Sequence, residues 1–133
     1  MSLKTFTAAY IEAALWSSVD ESSDQGGAPL DKNYGPGDIA PATLRRMKKD
    51  AKDFYQSRKD LWGEVYPESA RGGPAHTLGD MRAGHDFWLT RNRHGSGFWD
   101  EGLGERGKKL TDAAHAYGSF GLYVGDDGKV HGS

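Results

Sequence analysis

The feature that most constrains the fold is a long run of apolar residues at helical spacing, opening at Pro41. Leu44, Met47, Ala51, Phe54, Tyr55, Leu61, Trp62 and Val65 keep that spacing across about seven turns. Proline is favoured in the first turn of a helix, because the N–H it lacks would have no intrahelical partner there. The opposite face holds Arg45, Arg46, Lys48, Lys49, Lys52 and Lys59, with Asp50, Asp53 and Asp60 interleaved. Mixed charge on one helix face reads as a solvated surface, and a phosphate-contacting face is the alternative.

Other elements fall around that helix. Residues 4–16 read as a helix, with Phe6, Tyr10 and Ala14 in one i,i+4 row and Ile11 and Leu15 beside it. Residues 17–38 form an acidic, Gly/Pro-rich connection. It is long for a compact domain and therefore mobile or functional, and Leu30 and Tyr34 are the residues able to pin it to a core. After a break at YPESARGGPAH, Thr77 is placed to cap a third helix with Asp80 three residues on, in a capping-box-like arrangement. Leu78, Met81, His85, Trp88 and Leu89 line one side of it as far as Arg91. Gly79 and Gly84 each cost that helix about 1 kcal/mol against alanine. Although the stretch 86–90 also suits a strand, the helix reading is preferred.

A fourth helix fits 105–117, with Leu110, Ala113, Ala114 and Tyr117 inward. Phe120, Leu122 and Val124 then alternate as a strand, Gly125–Gly128 turns, and Lys129–His131 returns. An isolated hairpin is marginally stable and must pack on the helices. The expected class is α+β, about four helices with a C-terminal β-hairpin, in a single domain spanning 1–133 without internal repeats.

Composition limits the function classes. With 133 residues the chain is long enough for a core that needs neither disulfide nor metal, and the absence of cysteine fits a reducing compartment. No apolar stretch is long enough to span a membrane, and Glu12 interrupts what would be the apolar part of a secretory signal. These features predict a soluble, intracellular protein. Net charge is -2 overall, and only residues 41–65 are basic, at +3. Any nucleic-acid contact must therefore be local.

The run His85–Glu101, HDFWLTRNRHGSGFWDE, is the candidate functional segment. It holds two of the four tryptophans, two phenylalanines, two arginines, two histidines and three acids around a Gly-x-Gly turn. Trp88, Arg91, Asn92, Arg93, His94 and Trp99 combine cations with stacking rings, as single-strand or nucleotide recognition does and as protein interfaces also do. His94 with Asp86 or Asp100 is the minimal unit for general acid–base chemistry. A metal held by His85, His94 and Asp100 matches no established spacing. A structural alternative is an Asp86–Arg91 ion pair, with His94 in a turn and Phe98 and Trp99 anchoring the loop.

Two further motifs have plainer readings. Gly102-x-Gly104-x-x-Gly107 fits a dinucleotide-binding pattern, but no strand precedes it and Glu105 would repel phosphate. A simple anion site at the helix start, helped by Arg106 and Lys108, fits better, and a flexible connection is the default. Gly125-Asp126-Asp127-Gly128 reads as a turn, lacking the Asp spacing and terminal Glu of a calcium loop. The acidic stretch 20–24 could mimic phosphate toward a host nucleic-acid enzyme, and a solvated loop is its simpler reading.

Over Ala83–Val130 the sequence resembles a family of small proteins of tailed bacteriophages and prophages. Its members share a DFWLTRN-x-HG-x-GFWD signature and end in a YVGDDG hairpin, and EAALWSS near the N-terminus supports the match. Where the pattern often carries glycine after Asn92, this chain has Arg93, which makes the loop more basic. The resemblance implies a phage-encoded protein acting in the bacterial cytoplasm, and it supplies no activity.

The functional expectation is a phage accessory protein that binds a host protein, a nucleotide or a nucleic acid through the 85–101 surface. In that role Arg91, Arg93 and His94 supply charge, and Trp88 or Trp99 is the anchor. The alternatives are a small hydrolase or nuclease using His94 with Asp86 or Asp100, and a virion or scaffold component. No cofactor signature is present.

Overall fold

The structure, a computed structural model, describes residues 3–20, 27–61, 79–94, 97–101 and 103–133. Helix α1 (Leu3–Ser17) buries Phe6, Tyr10, Ile11, Ala14 and Leu15, the row its spacing predicts. The connection that follows is ordered at both described ends. Val19–Asp20 (β1) pairs antiparallel with Ala28–Pro29 (β2), and the Leu30 N–H donates to the Ser18 carbonyl at 2.9 Å. Leu30 is fully buried and Tyr34 packs against the core, so these two side chains do pin the segment.

Helix α2 (Pro41–Arg58) is followed by a 3-10 turn over Lys59–Leu61. The expected continuation through Trp62 and Val65 lies outside the described residues. Met47, Ala51, Phe54 and Tyr55 are buried, and the six basic residues of the other face are exposed. Asp50 departs from the expectation. It is buried and turns away from the solvated face to meet a charge in the core.

Helix α3 (Asp80–Arg91) begins at Asp80, preceded by Gly79 at φ 84°. Thr77 and Leu78, the expected cap and first apolar contact, lie outside the described residues. Its buried side includes Ala83, Gly84, Phe87, Trp88, Thr90 and Arg91, whereas Met81, expected inward, is 67% exposed. The small residues explain that choice of face. A Cβ on Gly84 would overlap the Phe6 carbonyl oxygen, so only glycine lets α1 and α3 approach so closely.

The core forms where these helices meet. Phe54 and Phe87 stack with centroids 4.0 Å apart and planes within 12°, and Phe6, Tyr10 and Phe98 close around them. Each such ring, fully buried, stabilises the fold by roughly 1.5–3 kcal/mol.

Helix α4 (Glu105–His115) buries Leu110 and Ala114, and Ala116 and Tyr117 form the turn after it. Strands β3 (Leu122–Val124) and β4 (Val130–Gly132) pair antiparallel with Tyr123 opposite His131. Their connection at Gly125–Gly128 is a turn, tied by the Asp127 carboxylate to the Lys129 N–H and to His131. The hairpin docks on the start of α2. There the Ala40 N–H donates to the Val130 carbonyl at 2.8 Å, and the Gly132 N–H donates to Thr43 Oγ1 at 3.1 Å. Among the described residues the architecture is α+β, four α-helices with a C-terminal antiparallel hairpin. No described helix is long and apolar enough to cross a membrane.

Candidate functional site

The segment 85–101 divides between two opposite environments. Its inward side is organised by Arg91, which is 1% exposed. The guanidinium donates to Asp50 Oδ2 at 2.9 Å, to the Tyr10 hydroxyl at 2.8 Å, and to the carbonyls of Gly118 and Tyr117 at 2.9 and 3.1 Å. It also lies 5.5–5.7 Å from the ring centres of Phe87, Tyr117 and Phe120. Burial pushes the Tyr10 hydroxyl up to about 12, against the opposing pull of the Arg91 charge, so it stays protonated.

Arg91 therefore pairs with Asp50 on α2 and not with Asp86. Five residues on a helix separate two side chains by about 140°, which sends Asp86 to the other side of α3. Trp88 is 2% exposed, with its indole N–H donating to Ser17 Oγ at 2.7 Å. Asn92 donates to the Trp88 carbonyl at 3.0 Å and accepts from the Phe120 N–H at 2.8 Å, joining α3 to the approach of the hairpin. Three of the six residues expected to form a binding surface, Trp88, Arg91 and Asn92, thus hold the fold together. Arg93 and His94 are exposed where α3 ends, and Trp99 is 42% exposed. Arg93 adopts φ 57°, the left-handed conformation that glycine takes without strain.

The outward side is a cleft of about 410 Å³ between α1, α3 and the 3-10 turn Phe98–Asp100. Arg82, His85, Asp86 and Leu89 supply one wall, spaced i, i+3, i+4 and i+7 on α3. Trp16 and Met81, both largely exposed, form the apolar rim, and the Trp16 ring lies 5.7 Å from that of His85. Asp100 and Glu101 close the far side. Glu101 is 2% exposed and accepts from Arg82 Nε at 2.6 Å, a bond that raises the Arg82 pKa further.

Asp86 is the unusual member. It is 6% exposed and lines the cleft, and its buried Oδ2 has no hydrogen-bond partner among the described residues. Burial foremost, then its hydrogen bond with Glu101 and repulsion by the Glu101 charge, push its pKa up to about 9, against the pull of Arg82. At neutral pH the two hydrogen-bonded carboxyls hold one proton between them, and Asp86 is the member pushed up.

The structure does not bring His94 to these carboxyls. His94 lies in a separate depression with Ser18, Val19, Asn92 and Phe120, while Asp86 and Asp100 line the cleft. His85, weighed from sequence only as a metal ligand, is the histidine beside Asp86. No group of three or more His, Asp or Glu side chains among the described residues is arranged to hold a metal ion. Gly104, at φ 61°, precedes α4, and Gly107 packs inside that helix. Gly102 lies outside the described residues, as do residues 21–24 of the acidic stretch. What precedes Gly104 is a 3-10 turn and not a strand.

Sequence reasoning missed Trp16, Met81, Arg82 and Glu101. The 82–85–86–89 stripe on one helix face was a usable signal. The convergence of Trp16 and Glu101 on it is tertiary and had none. Comparison of the chain with family models, curated proteins and solved structures finds no match.

Proposed function

We propose that the chain is a phage-encoded accessory protein that acts in the bacterial cytoplasm by binding, and that its binding site is the Asp86 cleft. The phage origin rests on the DFWLTRN-x-HG-x-GFWD signature and the YVGDDG hairpin. One observation carries the site, the buried Asp86 Oδ2 in the cleft wall, which has no partner among the described residues. A buried polar group without a partner costs about 1–3 kcal/mol, a cost that an incoming ligand can relieve. The neighbouring exposed Trp16 and Met81 supply the apolar contact that binding hot spots use. The acids favour a protein partner over nucleic acid, since Asp100 and Glu101 repel phosphate and Arg82, the arginine among the described lining residues, is already paired.

An acid–base reading is favoured by one feature, the buried Asp86, whose carboxyl is pushed well above the usual range by burial and by the neighbouring Glu101. Groups whose surroundings push their pKa values apart are the usual acid and base of a hydrolase. His94 takes no part in that reading.

The test is a fragment panel of charged and uncharged compounds, nucleoside monophosphates and a short single-stranded oligonucleotide, followed by backbone amide spectra. Saturable shifts confined to Trp16 and residues 81–86 and 97–101, lost in Asp86→Ala, support binding at the cleft. Shifts centred on 91–94, or none at all, contradict it. Consumption of any fragment during the titration moves the assignment to the hydrolase.

A further inference from the structure

Deepening the cleft-binding reading and resting on it, we propose that the group the cleft takes is the guanidinium of an arginine side chain presented by a partner polypeptide. Asp86 and Asp100 are its charge partners, and Trp16 is the surface on which it stacks.

Four features converge on a flat monocation. The first is charge. With one proton held between Asp86 and Glu101, the described lining residues set that pair and Asp100 against Arg82, leaving one negative charge in excess. Arg82 is engaged with Glu101 at 2.6 Å, so Asp100 is the carboxylate not paired with it. The second is the free acceptor. Asp86 is nine-tenths buried in the cleft wall, its shielded Oδ2 has no partner among the described residues, and a guanidinium seated against that wall brings up to five donors in a planar fork matched to a carboxylate. The third is the rim. The Trp16 indole is 53% exposed at the mouth, and a guanidinium stacks on an indole face more favourably than an ammonium does. The fourth is shape, because the largely exposed Met81 offers apolar surface along which the methylenes of a long basic side chain lie.

A proton is coupled to this uptake. The groups facing Asp86 are Glu101, Asp100 and Arg82, with His85 on its own helix face. A cation placed between Asp86 and Asp100 favours the ionised form of Asp86, so the proton held by the carboxyl pair leaves for solvent as the ligand enters. Binding therefore strengthens as pH rises, up to tenfold per unit when one full proton is released.

The experiment titrates the full chain with N-acetyl-arginine amide at pH 7.5, 8.0 and 8.5. Shifts of the Trp16 indole and the Met81 methyl are followed, with the citrulline, lysine and spermidine counterparts run beside it. The expected result is saturable arginine binding, at least tenfold weaker citrulline binding and weaker lysine binding. Affinity should rise severalfold across the pH series, and in Asp86→Asn, a neutral isostere of the protonated acid, the rise should vanish. Asp100→Asn, at an exposed position, should weaken arginine binding without unfolding the chain.

Equal binding of citrulline, preference for spermidine, or a pH-independent affinity overturns the inference. No arginine binding, alongside other fragments seated at the same residues, also overturns it but leaves the cleft-binding reading standing. No binding of any compound at the cleft defeats both.

Discussion

Arg91→Ala is the sharpest perturbation of the fold. The guanidinium it removes supplies donors to Asp50, Tyr10, Gly118 and Tyr117. Afterwards the buried Asp50 carboxylate keeps only Arg46, at 3.3 Å and on a side chain more than half exposed. Removing one partner of a buried pair costs about 3–5 kcal/mol, because the other charge stays buried. For a chain of this size each kcal/mol shifts the midpoint by roughly 3–5 °C, so thermal unfolding by circular dichroism should drop by about 10–20 °C. Asp50→Asn keeps an acceptor and should cost less, about 1–3 kcal/mol. A double-mutant cycle between Arg91 and Asp50 should reveal strong coupling, whereas the cycle between Arg91 and Asp86 should close to within about 0.5 kcal/mol. A drop of less than about 3 °C for Arg91→Ala, or coupling to Asp86 in place of Asp50, would refute the placement of this residue.

Three further outcomes are expected. Gly84→Ala, which improves helix propensity by about 1 kcal/mol, should nevertheless destabilise by about 1–3 kcal/mol in urea titrations, because its Cβ meets the Phe6 carbonyl; a stabilised variant would refute the close α1–α3 crossing. Arg93→Gly relieves a left-handed residue at φ 57° and should leave the protein neutral to about 1 kcal/mol more stable, whereas a clear loss would mean that the arginine side chain stabilises the turn. Asp86 should also govern the alkaline side of the stability profile. Its folded pKa is raised above the unfolded value, so the stability held by its protonated form is complete below about pH 4 and is lost as pH rises through about 9. The wild type should weaken by at most about 1.4 kcal/mol per pH unit over that window, and Asp86→Asn should flatten the slope; parallel profiles for the two proteins would contradict the shift.

Much of the fold was legible because it is written in local spacing. The inward row of α1, the cap-like Pro41 and the alternation of Leu122 and Val124 each follow from neighbours a few residues apart. The roles of Arg91 and Asp50 were not legible, since their partnership spans 41 residues and Asp50 sits among exposed charges in sequence. Gly84 was visible as a cost to α3, but its reason lies on another helix. The candidate site was half readable. The run 85–101 does hold Asp86 and Asp100, yet its aromatic and basic residues drew attention to Trp88 and Arg91, which the core consumes. A mixture of rings and charges in one segment is what a helix shows when one face seals a core around a buried cation and the other lines a cleft.

Asp86 should remain a protonated acid at physiological pH in the wall of the cleft. The most direct measurement is a carboxyl carbon-13 titration of the free protein, with the Asp86 resonance assigned through Asp86→Asn. A midpoint near 9 is expected. A midpoint near 4, the value of an ordinary aspartate, would contradict the shared proton and with it the case for this cleft as the functional site.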